Sequence, residues 1–129
     1  MTSADPAIAV VDDEAPVRTM LRRVLRLAGY EVAAFASGEE FLSSLAERVP
    51  ACVLLDVHMP QLSGFDVQSR LSAMHADVPV IFITASDDPA LEKLVLEAKG
   101  LELLRKPFSS ERLLSAVAAA LKSRGGDAS

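Results

Sequence analysis

Four stretches of the chain end in residues that together could move a phosphoryl group. Asp12, Asp13 and Glu14 follow the apolar run Ile8 to Val11, and Asp56 follows Cys52 to Leu55. Thr84 closes Val78 to Ile83, and Lys106 comes almost at once after Leu101 to Leu104. Three or four carboxylates in one shallow site repel one another and raise each other's pKa values. A hard divalent cation removes that conflict, and oxygen ligands with a few retained waters suit Mg2+. Such an ion beside Asp56 would bridge an incoming phosphoryl group and neutralise its developing charge. Lys106 would supply a movable cation for one phosphoryl oxygen, and Thr84 a hydroxyl for another. A carboxylate nucleophile among metal, ammonium and hydroxyl is equipment for making an acyl phosphate.

Taken singly these residues are bland. An Asp pair after a strand caps the next helix, a lone Asp forms a turn, and a lone Lys is a solvated charge. Their meaning depends on the elements that carry them. The apolar runs, with Val32 to Phe35 as a further one, read as buried parallel strands without a polar face. Helical spacing fills the gaps between them. Val17, Met20, Leu21, Val24 and Ala28 make one stripe, with Arg18, Arg22 and Arg26 away from it and Gly29 as the left-handed stop. Ser37 and Glu40 have capping-box spacing ahead of Phe41, Leu42 and Leu45. Val67, Leu71 and Met74 mark a third helix, and Leu91, Leu94, Val95 and Ala98 a fourth. Ser109 caps a fifth, carried by Leu114, Val117, Ala118 and Leu121.

The alternation predicts an α/β fold: a doubly wound, five-stranded parallel sheet in a three-layer sandwich with right-handed crossovers. The flavodoxin-like strand order 2-1-3-4-5 is the usual solution. Ligands then bind beyond the carboxyl ends of the strands, where the order reverses, between strands 1 and 3. All the polar residues named above fall on that edge. Residues 1–6 are expected to be a disordered lead, residues 7–122 the folded domain, and residues 123–129 a disordered tail or the start of a linker.

Composition narrows the function classes. At 129 residues and a net charge of −5 the chain fits one domain with no general attraction to nucleic acid or anionic membranes. Its single cysteine, Cys52, excludes an intrachain disulfide and a thiolate zinc cluster. The start lacks the blocks of a signal peptide and no apolar run could span a bilayer, so a cytoplasmic protein is expected. One tyrosine and no tryptophan leave little surface for a flavin or stacked bases.

The motifs Val10-Val11-Asp12-Asp13-Glu14, Leu54-Leu55-Asp56-Val57-His58-Met59-Pro60 with Gly64 following, Ile83-Thr84-Ala85 and Lys106-Pro107-Phe108 resemble those of the receiver domains of bacterial two-component response regulators. The resemblance covers Ile8 to Leu121, and as a set the motifs are highly specific. It implies that Asp56 is the phosphorylated aspartate. Asp13 and Asp56 would bind Mg2+ directly, with the backbone carbonyl of His58 as a further ligand and Asp12 acting mainly through water. Lys106 would contact the phosphoryl group and its bond to Pro107 would be cis, Thr84 would move toward the phosphoryl oxygen, and the small Ala85 would leave the site open. Pro60 and Gly64 would serve structurally. The donor would be a histidine kinase or a histidine phosphotransfer protein. The output would pass through helix 4, strand 5 and helix 5 to an attached effector domain or a downstream protein, with homodimer formation left open. A signalling switch rather than a turnover enzyme is expected.

Two departures stand out. Receivers commonly carry Tyr or Phe three residues before the lysine, where this chain has Leu103, which offers neither ring edge nor hydroxyl to a partner. The segment Ala98-Lys99-Gly100-Leu101 also replaces a usual Gly-Ala pair, so an altered turn is expected after helix 4. Leu96 and Leu113 lie off the expected buried stripes and are candidate docking points. Cys52 reads as packing and His75 as a solvated helix end, while His58 projects near the site and could tune dephosphorylation.

Three rival functions share parts of the pattern. A phosphatase of the haloacid dehalogenase type would want Asp where His58 stands. A flavodoxin-like electron carrier would want a glycine-rich phosphate loop in place of Asp12-Asp13-Glu14. A receiver fold working only as an unphosphorylated interaction module is kept open by Leu103.

Overall fold

A computed structural model describes residues 7–126, with side chains described through Lys122. The expected lead over residues 1–6 and the last three tail residues lie outside the described part. Five strands alternate with five helices: β1 Ala7–Val11, α1 Ala15–Leu27, β2 Glu31–Phe35, α2 Gly38–Ser44, β3 Cys52–Asp56, α3 Gly64–Ala73, β4 Val80–Thr84, α4 Ala90–Glu97, β5 Glu102–Arg105 and α5 Ser110–Gly126. The strands are all parallel, in the order β2-β1-β3-β4-β5. The predicted architecture is therefore the observed one. No helix among the described residues is long and apolar enough to cross a membrane.

Side-chain alternation along the central strands divides the core in two. Ile8, Val10, Cys52, Leu54, Ile81 and Ile83 face α1 and α5, meeting Leu21, Leu25, Leu113 and Val117. Ala9, Val11, Val53, Leu55, Val80 and Phe82 face the other way, against Phe41, Val67, Leu71, Leu91 and Val95. This period-two division explains why β1, β3 and β4 read as unbroken apolar runs: both faces are covered. At the edge, β2 is only partly buried, with Glu31 and Ala33 exposed.

The helical stripes needed correction in four places. In α1 the buried residues are Leu21 and Leu25, whereas Met20 and Ala28 are exposed. Leu94 of α4 is exposed, and α4 buries Leu91 and Val95 alone. Met74, at the end of α3, is also exposed. In α5, Leu113 is fully buried rather than displayed, and Ala118 is exposed. The cause is one of phase: α5 buries Leu113, Ala116, Val117 and Ala120, an i, i+3, i+4, i+7 set rotated by one residue from the expected stripe. The same helix continues to Gly126, past the expected boundary at Lys122.

Helix ends account for much of the local geometry. Ser37 accepts the Glu40 N–H at 3.2 Å, but the Glu40 carboxylate takes the N–H of Ala36, so the expected capping box is only half made. The complete box is at α3, where Ser63 and Asp66 each accept the other's backbone N–H. Helices α1, α3 and α4 all close in the same way. The N–H of Tyr30, Ala76 and Gly100 returns to the carbonyl of Leu25, Leu71 and Val95. The residue before each, Gly29, His75 or Lys99, sits at positive φ. This is the Schellman closure. The altered turn expected after α4 is thus a common turn with an uncommon occupant: Lys99 takes φ 61°. Gly100 is needed next to it for space, since a Cβ there would lie 2.7 Å from the Phe82 ring.

Candidate functional site

The carboxyl ends of β1 and β3 point into the same crevice, and β4 and β5 bring their own ends alongside. Asp12 follows β1 directly and is fully buried, Asp13 beside it is exposed, and Asp56 is the last residue of β3 with 5% exposure. Carboxylate oxygens of Asp12, Asp13 and Asp56 all lie within 4.8 Å of one another. Lys106 reaches across from the far side of the sheet. Its Nζ stands 3.1 Å from Asp12 Oδ2, 3.2 Å from Glu14 Oε1 and 3.8 Å from Asp56 Oδ2. Asp13, Glu14, Asp56, His58, Ala85 and Lys106 line a shallow cavity of about 210 Å³ above this cluster.

The two buried carboxylates are held by backbone as well as by charge. Asp12 Oδ1 accepts the Glu14 N–H at 2.9 Å, and Asp56 Oδ1 accepts the His58 N–H at 3.3 Å. Gly64 supports the floor. Its N–H donates to the Val57 carbonyl at 2.9 Å, and a Cβ in its place would come within 2.5 Å of the Asp56 carbonyl oxygen. Glycine is required there because the start of α3 presses against the chain leaving β3. Pro60 shapes the connection: its carbonyl accepts the Leu62 N–H across Gln61, which sits at φ 70°. The Lys106–Pro107 peptide is cis.

The electrostatics follow from this crowding. Burial, then the charge of Asp12, pushes the Asp56 carboxyl up to about 6, and Lys106 and the His58 N–H only partly oppose them. For Lys106, burial disfavours the ammonium. The hydrogen bond it donates to Asp12 and the negative charges of Asp56 and Asp12 more than offset that, and its pKa is raised. The site therefore has one fixed cation facing several carboxylates. The three aspartates present hard oxygen donors at a spacing one small divalent cation could bridge, and such an ion would relieve the repulsion that burdens Asp56. The donor set fits Mg2+.

Thr84, like the buried Asp12, does not line the cavity. It is fully buried, its Oγ1 accepts the Ser86 N–H at 3.0 Å, and it lies 3.4 Å from His58 Nδ1. Leu103 packs into the α4 side of the core as an apolar residue. Two contributors escaped the sequence reading. Arg18 donates to the Asp12 carbonyl at 2.7 Å, although its place off the apolar stripe predicts a solvent-facing side chain. Arg105 bridges β5 to the loop after β4, donating to the Ser86 and Asp88 carbonyls. Bonds to backbone carbonyls need only length and direction from the side chain, so no spacing pattern announces them.

Fold and site together define a receiver-type α/β signalling domain. A family model described as the response regulator receiver domain matches residues 8–118. The chain belongs to the response regulator receiver domains of two-component systems, which are signalling proteins rather than turnover enzymes. It is 41% identical over 123 residues to the transcriptional regulatory protein PrrA of Mycobacterium tuberculosis, covering 95% of this chain and 53% of that protein. Nodulation protein W of Bradyrhizobium diazoefficiens is 37% identical over 118 residues, covering 92% of this chain and 52% of that one. The crystal structure of a response regulator receiver protein from Burkholderia phymatum superimposes with a TM-score of 0.83 at 42% identity, over 91% of this chain and 95% of that chain. The chain spans about half the length of the curated relatives it matches.

Proposed function

We propose that Asp56 accepts a phosphoryl group from a histidine kinase or a histidine phosphotransfer protein, and that the modified site changes the surface formed by α4, β5 and α5. The observation that carries this is the placing of a nearly buried Asp56 carboxylate within 4.8 Å of two other carboxylates and 3.8 Å from an ammonium. In the transfer, a carboxylate oxygen of Asp56 attacks phosphorus as the donor's P–N bond breaks, and the imidazole nitrogen leaves with the electron pair. Lys106 neutralises a phosphoryl oxygen, and the Asp12 and Glu14 carboxylates hold its ammonium in place. Asp12, Asp13, Asp56 and the His58 carbonyl would hold Mg2+, which supplies charge neutralisation at the phosphoryl oxygens. Thr84 turns its hydroxyl to the new anion, and Ala85, at the cavity wall, leaves room for it.

The product adds nearly two negative charges and three acceptors at the sheet edge. Exposed Leu94, Leu96 and Leu101 near α4 and β5 supply apolar surface for an effector domain, a downstream protein or a second copy of the chain. The reaction is one event per signal, in the cytoplasm, without turnover. Incubation with acetyl phosphate and Mg2+ should add one phosphoryl group by intact mass, and Asp56→Asn should take none. Labelling of that variant to the parent's extent would place the acceptor elsewhere.

A further inference from the structure

Thr84 cannot reach the cavity without disturbing the loop that follows it. Its Oγ1 accepts the Ser86 N–H at 3.0 Å, and residues 85–89 connect that peptide to α4. The loop is tied down from outside by Arg105, which is paired with Thr84 in the β4–β5 register. Arg105 Nη1 donates to the Ser86 carbonyl at 2.7 Å and Nη2 to the Asp88 carbonyl at 3.2 Å, with Glu92 of α4 3.7 Å away. Thus one guanidinium joins the end of β5, the loop and the first turn of α4. Leu103, two residues earlier on the same strand face, has no polar atom with which to take part.

We infer that Arg105 is a positioning residue, a strap that holds the β4–α4 loop, and through it Thr84, in the arrangement that precedes phosphorylation. This rests on the reading of Asp56 as phosphoacceptor and adds a regulatory element to it. Turning Thr84 toward a phosphoryl oxygen draws on the Ser86 peptide, whose carbonyl must then leave Arg105. The strap stabilises one arrangement and so sets how rarely the other is visited. Water at this part-exposed site replaces most of what the two bonds contribute, so losing them shifts that ratio about tenfold. Lysine would keep the charge but, as a point donor, could not span both carbonyls.

The test compares the parent, Arg105→Ala and Arg105→Lys in Mg2+, by amide NMR before and after acetyl phosphate and by the initial rate of phosphoryl uptake. In unphosphorylated Arg105→Ala, the Thr84 and Ser86 amide signals should move along the line toward their positions in the phosphorylated parent. Uptake should rise about tenfold, with Arg105→Lys between. Faster uptake is opposite to the effect of removing a cation that attracts an anionic donor, and a merely structural loss would not place signals on that line. Signals that stay put with an unchanged rate, or that leave the line, overturn the strap while phosphorylation of the parent stands. A parent that takes up no phosphoryl group overturns both readings.

Discussion

Replacing Asp56 with Asn should stabilise the metal-free protein, and the gain should depend on pH. The carboxyl is pushed from an ordinary 3.8 to about 6, first by burial and then by Asp12. The folded chain therefore holds the charged form at a disadvantage that the unfolded chain does not feel. At about 1.4 kcal/mol for each tenfold change in proton affinity, the full displacement amounts to about 3 kcal/mol. Solvent at the open mouth of the cavity reduces this to about 1–2 kcal/mol. Because the folded value lies above the unfolded one, the neutral form's advantage is fully present below 3.8 and lost as pH rises through 6. Asn has no proton to lose. Urea unfolding in EDTA should show Asp56→Asn more stable by about 1–2 kcal/mol near neutrality and matched to the parent near pH 4. Saturating Mg2+ should narrow or reverse the neutral-pH difference, since the parent keeps the Asp56 carboxylate that would hold the ion. A variant less stable than the parent in EDTA at neutral pH, or a difference independent of pH, would refute the electrostatic account.

Asp13→Asn should lower Mg2+ affinity at least about tenfold by calorimetry while leaving the metal-free fold intact, because Asp13 is exposed and removing it breaks no buried contact. Lys99→Gly should add about 0.5–1 kcal/mol by relieving a left-handed residue, whereas Gly100→Ala should cost about 1–3 kcal/mol by driving a methyl into Phe82, both read by thermal or urea melts. Cys52, buried with its thiol pushed up to about 12 by burial, should resist a thiol reagent in the native protein and react fully in urea.

What the sequence reveals follows the distance over which each feature is determined. β1, β3 and β4 are legible because both their faces are covered and every residue of the run must be apolar. Asp12, Asp56, Thr84 and Lys106 are legible because sheet topology alone carries strand ends to one edge. Helix phase is less so: in α5, alanines at 116, 118 and 120 fit two stripes equally well, and only packing against β3 and β4 selects the one that buries Leu113. Ser63–Asp66 and Ser37–Glu40 share the same capping spacing, and only the local backbone decides that the first closes a full box while Glu40 turns to Ala36 instead. The contacts of Arg18 and Arg105 end on backbone carbonyls and leave no trace in residue type.

The tie between Lys106 and Asp12 joins residues 94 positions apart in the chain. It joins the exit of the first strand to the exit of the last, so the reactive corner is assembled only once the polypeptide has threaded all five strands. A nascent or cleaved product lacking β5 would retain the aspartates but have no ammonium to face them. On the proposed function, competence to receive a phosphoryl group would in this way be conditional on a finished fold.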